Sequence, residues 1–118
     1  MVAPAGIEAV DSVDVTILID NAIDILAAPS EIARRQPLSY EWVYRDQLRA
    51  EHGYSAVIRV RSGDRTETVL YDAGLGRDTA IHNLDHLGID PKDFRGMVLS
   101  HGHADHHAGL EGLFARLR

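Results

Sequence analysis

Seven consecutive residues, His101-Gly102-His103-Ala104-Asp105-His106-His107, carry four imidazoles and a carboxylate. Packing gives no reason for that density. Imidazole nitrogen and carboxylate oxygen are donors that zinc, iron and manganese accept. In an extended segment residues two apart face one side, so His101 and His103 can reach one cation together. Asp105 continues the alternation, and a turn into a helix after it can swing His106 toward a second cation. The spacing H-x-H-x-D-H therefore offers two donor pairs from one loop. Gly102 and Ala104 leave room around them. A solvated histidine tract would lack the flanking strand and the small-residue helix start found here. His107 falls outside the spacing and is expected at the surface or behind the ligands. His52, His82 and His86 lack such a context and are read as ordinary surface or core histidines, although His82 and His86 stand i, i+4 on one helix.

The loop needs elements to hold it. Between Val10 and Asp20, Val13, Val15, Ile17 and Ile19 alternate with Asp14, Thr16, Leu18 and Asp20, a period of two that predicts a strand with a mostly buried apolar face. Pro29 and Pro37 bracket a stretch that cannot be regular throughout. Tyr40 to Glu51 is read as a short helix carrying the only tryptophan, Trp42, packed against the core. Two β-rich runs from Tyr54 to Asp72 flank Ser62-Gly63-Asp64, which predicts a hairpin. The second run enters a glycine turn, Asp72 to Gly76. Ala80, Ile81, Leu84 and Leu87 stand at helical spacing, with Gly88 as the stop. Asp90-Pro91 with Asp93 reads as a helix start. Gly96 to Ser100 is a short apolar strand that delivers the histidines, and Leu110, Leu113, Phe114 and Leu117 predict a closing helix. The order is α/β in the broad, α+β sense: strands first, then helix, strand, loop and helix, in one domain over residues 1–118. Loops at strand ends are where a rigid scaffold most readily presents a site.

Bulk properties narrow the partners. The chain has 118 residues and a formal net charge of −6, which argues against nucleic acid as a partner. It has no cysteine, so disulfides and thiolate ligands are excluded. No apolar run approaches the ~20 residues that span a bilayer, and "MVAPAGIEAV" lacks the features of a signal peptide. A cytoplasmic protein with a small-molecule substrate and no membrane contact is expected.

"SHGHADHHAGL", Ser100 to Leu110, resembles the H-x-H-x-D-H signature of the metallo-β-lactamase-fold hydrolases. "VLYDAGLG", Val69 to Gly76, is similar to that superfamily's D-x-G turn. "LIDN" at Leu18, "AEHGYS" at Ala50 and the histidine loop most resemble the dihydropterin synthase-like branch of the methanopterin pathway. The resemblance implies an αββα sandwich of which residues 1–118 form the N-terminal half. It implies two divalent ions, zinc first and iron or manganese as substitutes. His101 and His103 would hold the first, Asp105 and His106 the second, with Asp72 behind them in an orienting role. It further implies that a metal-activated water attacks an ester, lactone, amide, thioester or phosphoester, with Asp105 as the catalytic proton acceptor.

The chain also departs from the family. Members are around twice as long, and their second half supplies two more histidines and a bridging carboxylate. Two donors per ion fall short of the three protein ligands usual for catalytic zinc. Three arrangements meet that shortfall. The favoured one is the N-terminal half of a larger metallohydrolase. The second is a homo-oligomer, or assembly with a separate C-terminal half, and the third a non-catalytic metal-binding module. A nuclease is disfavoured by the negative charge, and a one-iron oxygenase of the same fold stays open.

Overall fold

A computed structural model describes residues 6–24, 26–35 and 47–118. Four strands form one sheet in the order β1-β2-β3-β4: β1 (Ser12–Ile19), β2 (Ser55–Ser62), β3 (Arg65–Tyr71) and β4 (Phe94–Val98). The first three run antiparallel, and β4 joins β3 in parallel. Between β3 and β4 lies α1 (Thr79–Leu87); α2 (Ala104–His107) and α3 (Leu110–Leu117) follow β4. Mixed sheet and helices make an α+β architecture of the expected class.

The hairpin forms where Gly63 and Asp64 permit it. Gly63 has φ +57°, and its N–H donates to Asp11 Oδ2 at 2.7 Å, tying the turn to the start of β1. Helix α1 ends as its sequence requires, on Gly88 in the left-handed conformation, φ 67°. Its apolar stripe packs on the sheet face that carries Val57 and Leu70, a face that alternation separates from Ile58 and Val69. Leu18, Ile19, Ala73, Ala80, Leu84 and Leu113 complete this core. Full burial of side chains such as Leu70 and Leu84 contributes roughly 1.5–3 kcal/mol each.

Several expectations need correction. The apolar face of β1 is not buried: Val13, Val15 and Ile17 are about half exposed. A register shift between Ile17 and Ile19 pairs Ile19 with Ser55 and turns it inward, where it is 1% exposed. Asp90 caps as expected, its carboxylate accepting from Lys92 N at 2.9 Å. The helix it starts is a single 3-10 turn, Pro91–Asp93, because Phe94 already pairs with Thr68 of β3. The delivering strand runs from Phe94 to Val98, not from Gly96 to Ser100, and lies at the sheet edge with Val98 half exposed, so its apolar run is only partly buried. On α3, Leu113 is buried while Phe114 and Leu117 face outward. Residues 47–51 are not helical; Tyr40 to Asp46, with Trp42, lie outside the described residues.

Candidate metal centre

The donors collect where β3 and β4, running in parallel, both end. Asp72 follows β3 directly with φ 54°, a left-handed turn that a non-glycine residue seldom adopts and that clusters at functional sites. Its backbone is held on both sides: Asp72 N donates to Val98 O at 2.9 Å, and Ser55 Oγ donates to Asp72 O at 2.8 Å. The side chain is 1% exposed and faces the loop after β4.

Three donors meet that carboxylate. Ser100 N donates to Oδ1 at 2.7 Å; Ser100 Oγ and His106 Nδ1 each reach Oδ2 at 2.7 Å. Burial by itself would raise the Asp72 carboxyl above its usual range. The Ser100 backbone and hydroxyl bonds, with His106 beside them, outweigh it and hold the group below that range. An ionised Asp72 fixes the ring of His106: the proton sits on Nδ1, and the Nε2 lone pair points away. Ser100 extends the same logic. Its hydroxyl hydrogen goes to Asp72, so its oxygen accepts from His101 Nδ1 at 2.9 Å and frees His101 Nε2.

The freed nitrogens converge. His101 Nε2 lies 3.1 Å from His103 Nδ1, and the His101 and His106 ring centroids are 4.2 Å apart. Nitrogens about 2.0–2.1 Å from one tetrahedral zinc would stand roughly 3.3 Å apart, so the His101–His103 pair fits a shared cation. Asp105 Oδ2 lies 3.6 Å from His106 Nε2, forming the second donor pair. Sequence spacing and the fold thus bring His101, His103, Asp105, His106 and Asp72 into one cluster. His107 lies beside it on α2, with no hydrogen bond to these donors among the described residues. No group of three or more His, Cys, Asp or Glu side chains among the described residues could by itself hold a metal ion. The donor chemistry fits divalent cations as two pairs, each short of a full ligand set.

The turn after Asp72 is clasped to the histidine segment. Ala73 N donates to His106 O at 2.7 Å, and Gly109 N donates to Gly74 O at 3.1 Å. A Cβ on Gly109 would lie 2.0 Å from Ala73 O, so only glycine allows this approach. Glu51 braces the same turn. Its Oε1 accepts from Leu75 N and Gly76 N at 2.8 and 2.9 Å, and its Oε2 accepts from Thr79 Oγ1 at 2.6 Å.

Spacing did not reveal Ser100, Glu51 or Asn83. Asn83, buried in α1, donates to Leu18 O and Arg49 O and accepts from Arg49 N, joining the helix to the strand ends. The one available signal for Ser100 was its place between a strand end and the first histidine. His52 is exposed, as expected, yet its Nε2 is 3.3 Å from Asp105 Oδ2. Tyr54 stacks edge-on against Tyr71 at 6.3 Å, and burial, aided by Asp20, raises its phenol above the ordinary value. The outlying pair His82 and His86 is otherwise occupied: His82 Nε2 contacts Gln47 O at 2.6 Å, and His86 Nδ1 contacts His82 O at 3.2 Å.

The model of the Metallo-beta-lactamase superfamily matches residues 48–118, which include every donor of the cluster. The chain belongs to the metallo-beta-lactamase superfamily. A relative in Methanocaldococcus jannaschii, 7,8-dihydropterin-6-methyl-4-(beta-D-ribofuranosyl)-aminobenzene-5'-phosphate synthase, is 31% identical over 74 residues, covering 63% of this chain and 25% of that protein. An uncharacterized protein of the same archaeon is 40% identical over 62 residues, covering 52% of this chain and 22% of its own length. The chain thus spans about a quarter of the curated relatives it matches. Among the described residues, no helix of this chain is long and apolar enough to cross a membrane.

Proposed function

We propose that this chain is the cation-binding part of a metal-dependent hydrolase that cleaves an ester, lactone, thioester or phosphoester of a small molecule. One observation carries the reading. A buried carboxylate, Asp72, sets the rings of His106 directly and His101 through Ser100, leaving His101 Nε2 beside His103 Nδ1 and His106 Nε2 beside Asp105 Oδ2. Carboxylate–histidine pairing of this kind orients metal-binding imidazoles and raises their basicity. His101 and His103 would hold one divalent ion, and Asp105 and His106 another, with zinc, iron and manganese all suited to these donors. Such ions, when bound, lower the pKa of water and polarise an electrophile.

The chain's own groups have separable tasks. Asp72 and Ser100 keep the rings in one tautomer. Asp105, 23% exposed beside His106, would receive the proton that a metal-activated water gives up. The dihydropterin relative supports a phosphorylated or ester-like substrate only through its printed name.

A second reading rests on the two-donor pairs. The missing ligands come from a separate polypeptide half or a second copy, and the isolated chain captures metal without turnover. Both readings are tested on metal-stripped protein reloaded with zinc and assayed against generic lactone and phosphodiester substrates. The first reading expects bound ions with hydrolysis that Asp105→Asn abolishes. The second expects bound ions without hydrolysis. Absence of any bound ion contradicts both.

A further inference from the structure

His52 is an imidazole that the proposed ligand set does not use, and the fold goes to some length to place it. Its segment is fixed from three directions. Glu51 N donates to Asp20 O at 3.2 Å, and Gly53 N donates to Asn21 Oδ1 at 2.9 Å. Tyr54 N donates to Asp105 O at 3.3 Å. Gly53, at φ 129°, runs so close to the site that a Cβ would lie 2.2 Å from Asp105 O. The chain therefore lies directly against Asp105, and the contact brings His52 Nε2 to 3.3 Å from Asp105 Oδ2. The same oxygen is 3.6 Å from His106 Nε2. Asp105 Oδ2 is thus bracketed by two imidazoles, one inside the donor cluster and one outside it.

The outer imidazole is 74% exposed. Burial does not explain its position, and core packing does not need it. A carboxylate that binds a cation with one oxygen is usually held in place by a further hydrogen-bond donor. We infer that His52 is a positioning residue for Asp105, its ring N–H orienting the carboxylate so that Oδ2 and His106 Nε2 face one cation together. This rests on the proposed metal reading and adds to it a residue from the segment before β2, far in sequence from the donor loop. Ligating carboxylates depend on such partners for about a 10- to 100-fold share of metal affinity.

The test is a Co2+ titration of metal-stripped protein, followed by d–d absorption and by competition with a chelator. Wild type, His52→Ala and His52→Gln are compared, with thermal unfolding monitored by circular dichroism. In His52→Ala the second, Asp105-dependent ion is expected to weaken about 10- to 100-fold. The ion at His101 and His103 keeps its affinity and its spectrum, and the melting temperature stays near that of wild type. His52→Gln, which keeps an N–H donor at similar reach, is expected to recover most of the loss. Wild-type affinity for both ions in His52→Ala overturns the inference while leaving the metal reading intact. Equal weakening of both ions together with a lowered melting temperature marks a merely structural role and also overturns it. A loss that glutamine does not recover makes the ring a ligand in its own right and overturns the positioning role. If wild type itself binds no second ion, the metal reading fails and this inference falls with it.

Discussion

Asp72 sets the ring of His106 directly and that of His101 through Ser100, because three hydrogen bonds end on its two oxygens. An asparagine there would put an N–H2 group against His106 Nδ1 and Ser100. The imidazole proton would then move to Nε2, the atom meant for a cation. Asp72→Asn is therefore expected to weaken metal binding by about 10- to 100-fold, measured by zinc titration. The same residue shapes acid stability. Its folded carboxyl lies below the ordinary carboxylate range, so its contribution is fully present above pH ~4 and fades as pH falls through and below that value. Urea unfolding between pH 6 and 3 should show a shallower acid loss in Asp72→Asn than in wild type; identical slopes would contradict the role. The four residues of the loop, His101, His103, Asp105 and His106, were legible because their types and spacing are themselves a pattern, and Asp72 only through the resemblance of its turn to the family's. Ser100 and His52 were not, since a lone hydroxyl or an isolated histidine acquires meaning only when folding places it beside a carboxylate.

The elements were legible wherever a local signal met no competitor. Helix α1 announced itself by Ala80, Ile81, Leu84 and Leu87 and by its glycine stop. The hairpin did so through Gly63-Asp64. Asp90-Pro91 marked a true helix start, but pairing of Phe94 with β3 leaves room for only one 3-10 turn before the strand. The bulge in β1 was invisible for the same reason: the pairing partner, not the local pattern, turns Ile19 inward. The close clasp between the Asp72–Gly76 turn and the histidine segment gives a direct test. Gly109→Ala forces a methyl group into Ala73 O and is expected to cost about 1–3 kcal/mol in urea unfolding. Gly96→Ala, which meets nothing within 4 Å and needs no positive φ, is expected to be neutral or to stabilise by up to about 1 kcal/mol. Equal effects at the two positions would contradict the clasp.

On the scale of the whole molecule, the helices of the described residues pack on one face of the sheet. Its helix-facing row, with Val57 and Leu70, is buried, while Val13, Val15, Ile17 and Val98 on the other face are each about half exposed. Composition gave no sign of this, because alternation marks an apolar face without saying what lies against it. A contiguous apolar face is a contact surface or an aggregation hazard. Val15→Lys is expected to reduce binding of an apolar dye while shifting unfolding free energy by no more than about 0.5 kcal/mol; undiminished dye binding would show that the face is not the exposed surface. The central claim concerns the cluster at the ends of β3 and β4, and metal content tests it most directly. Protein stripped with chelator, reloaded with zinc and dialysed is expected to retain zinc, and His101→Ala and His103→Ala are each expected to lose the ion of that pair with β-sheet signal unchanged. Zinc retained equally by wild type and both variants, or by none of them, would contradict the claim.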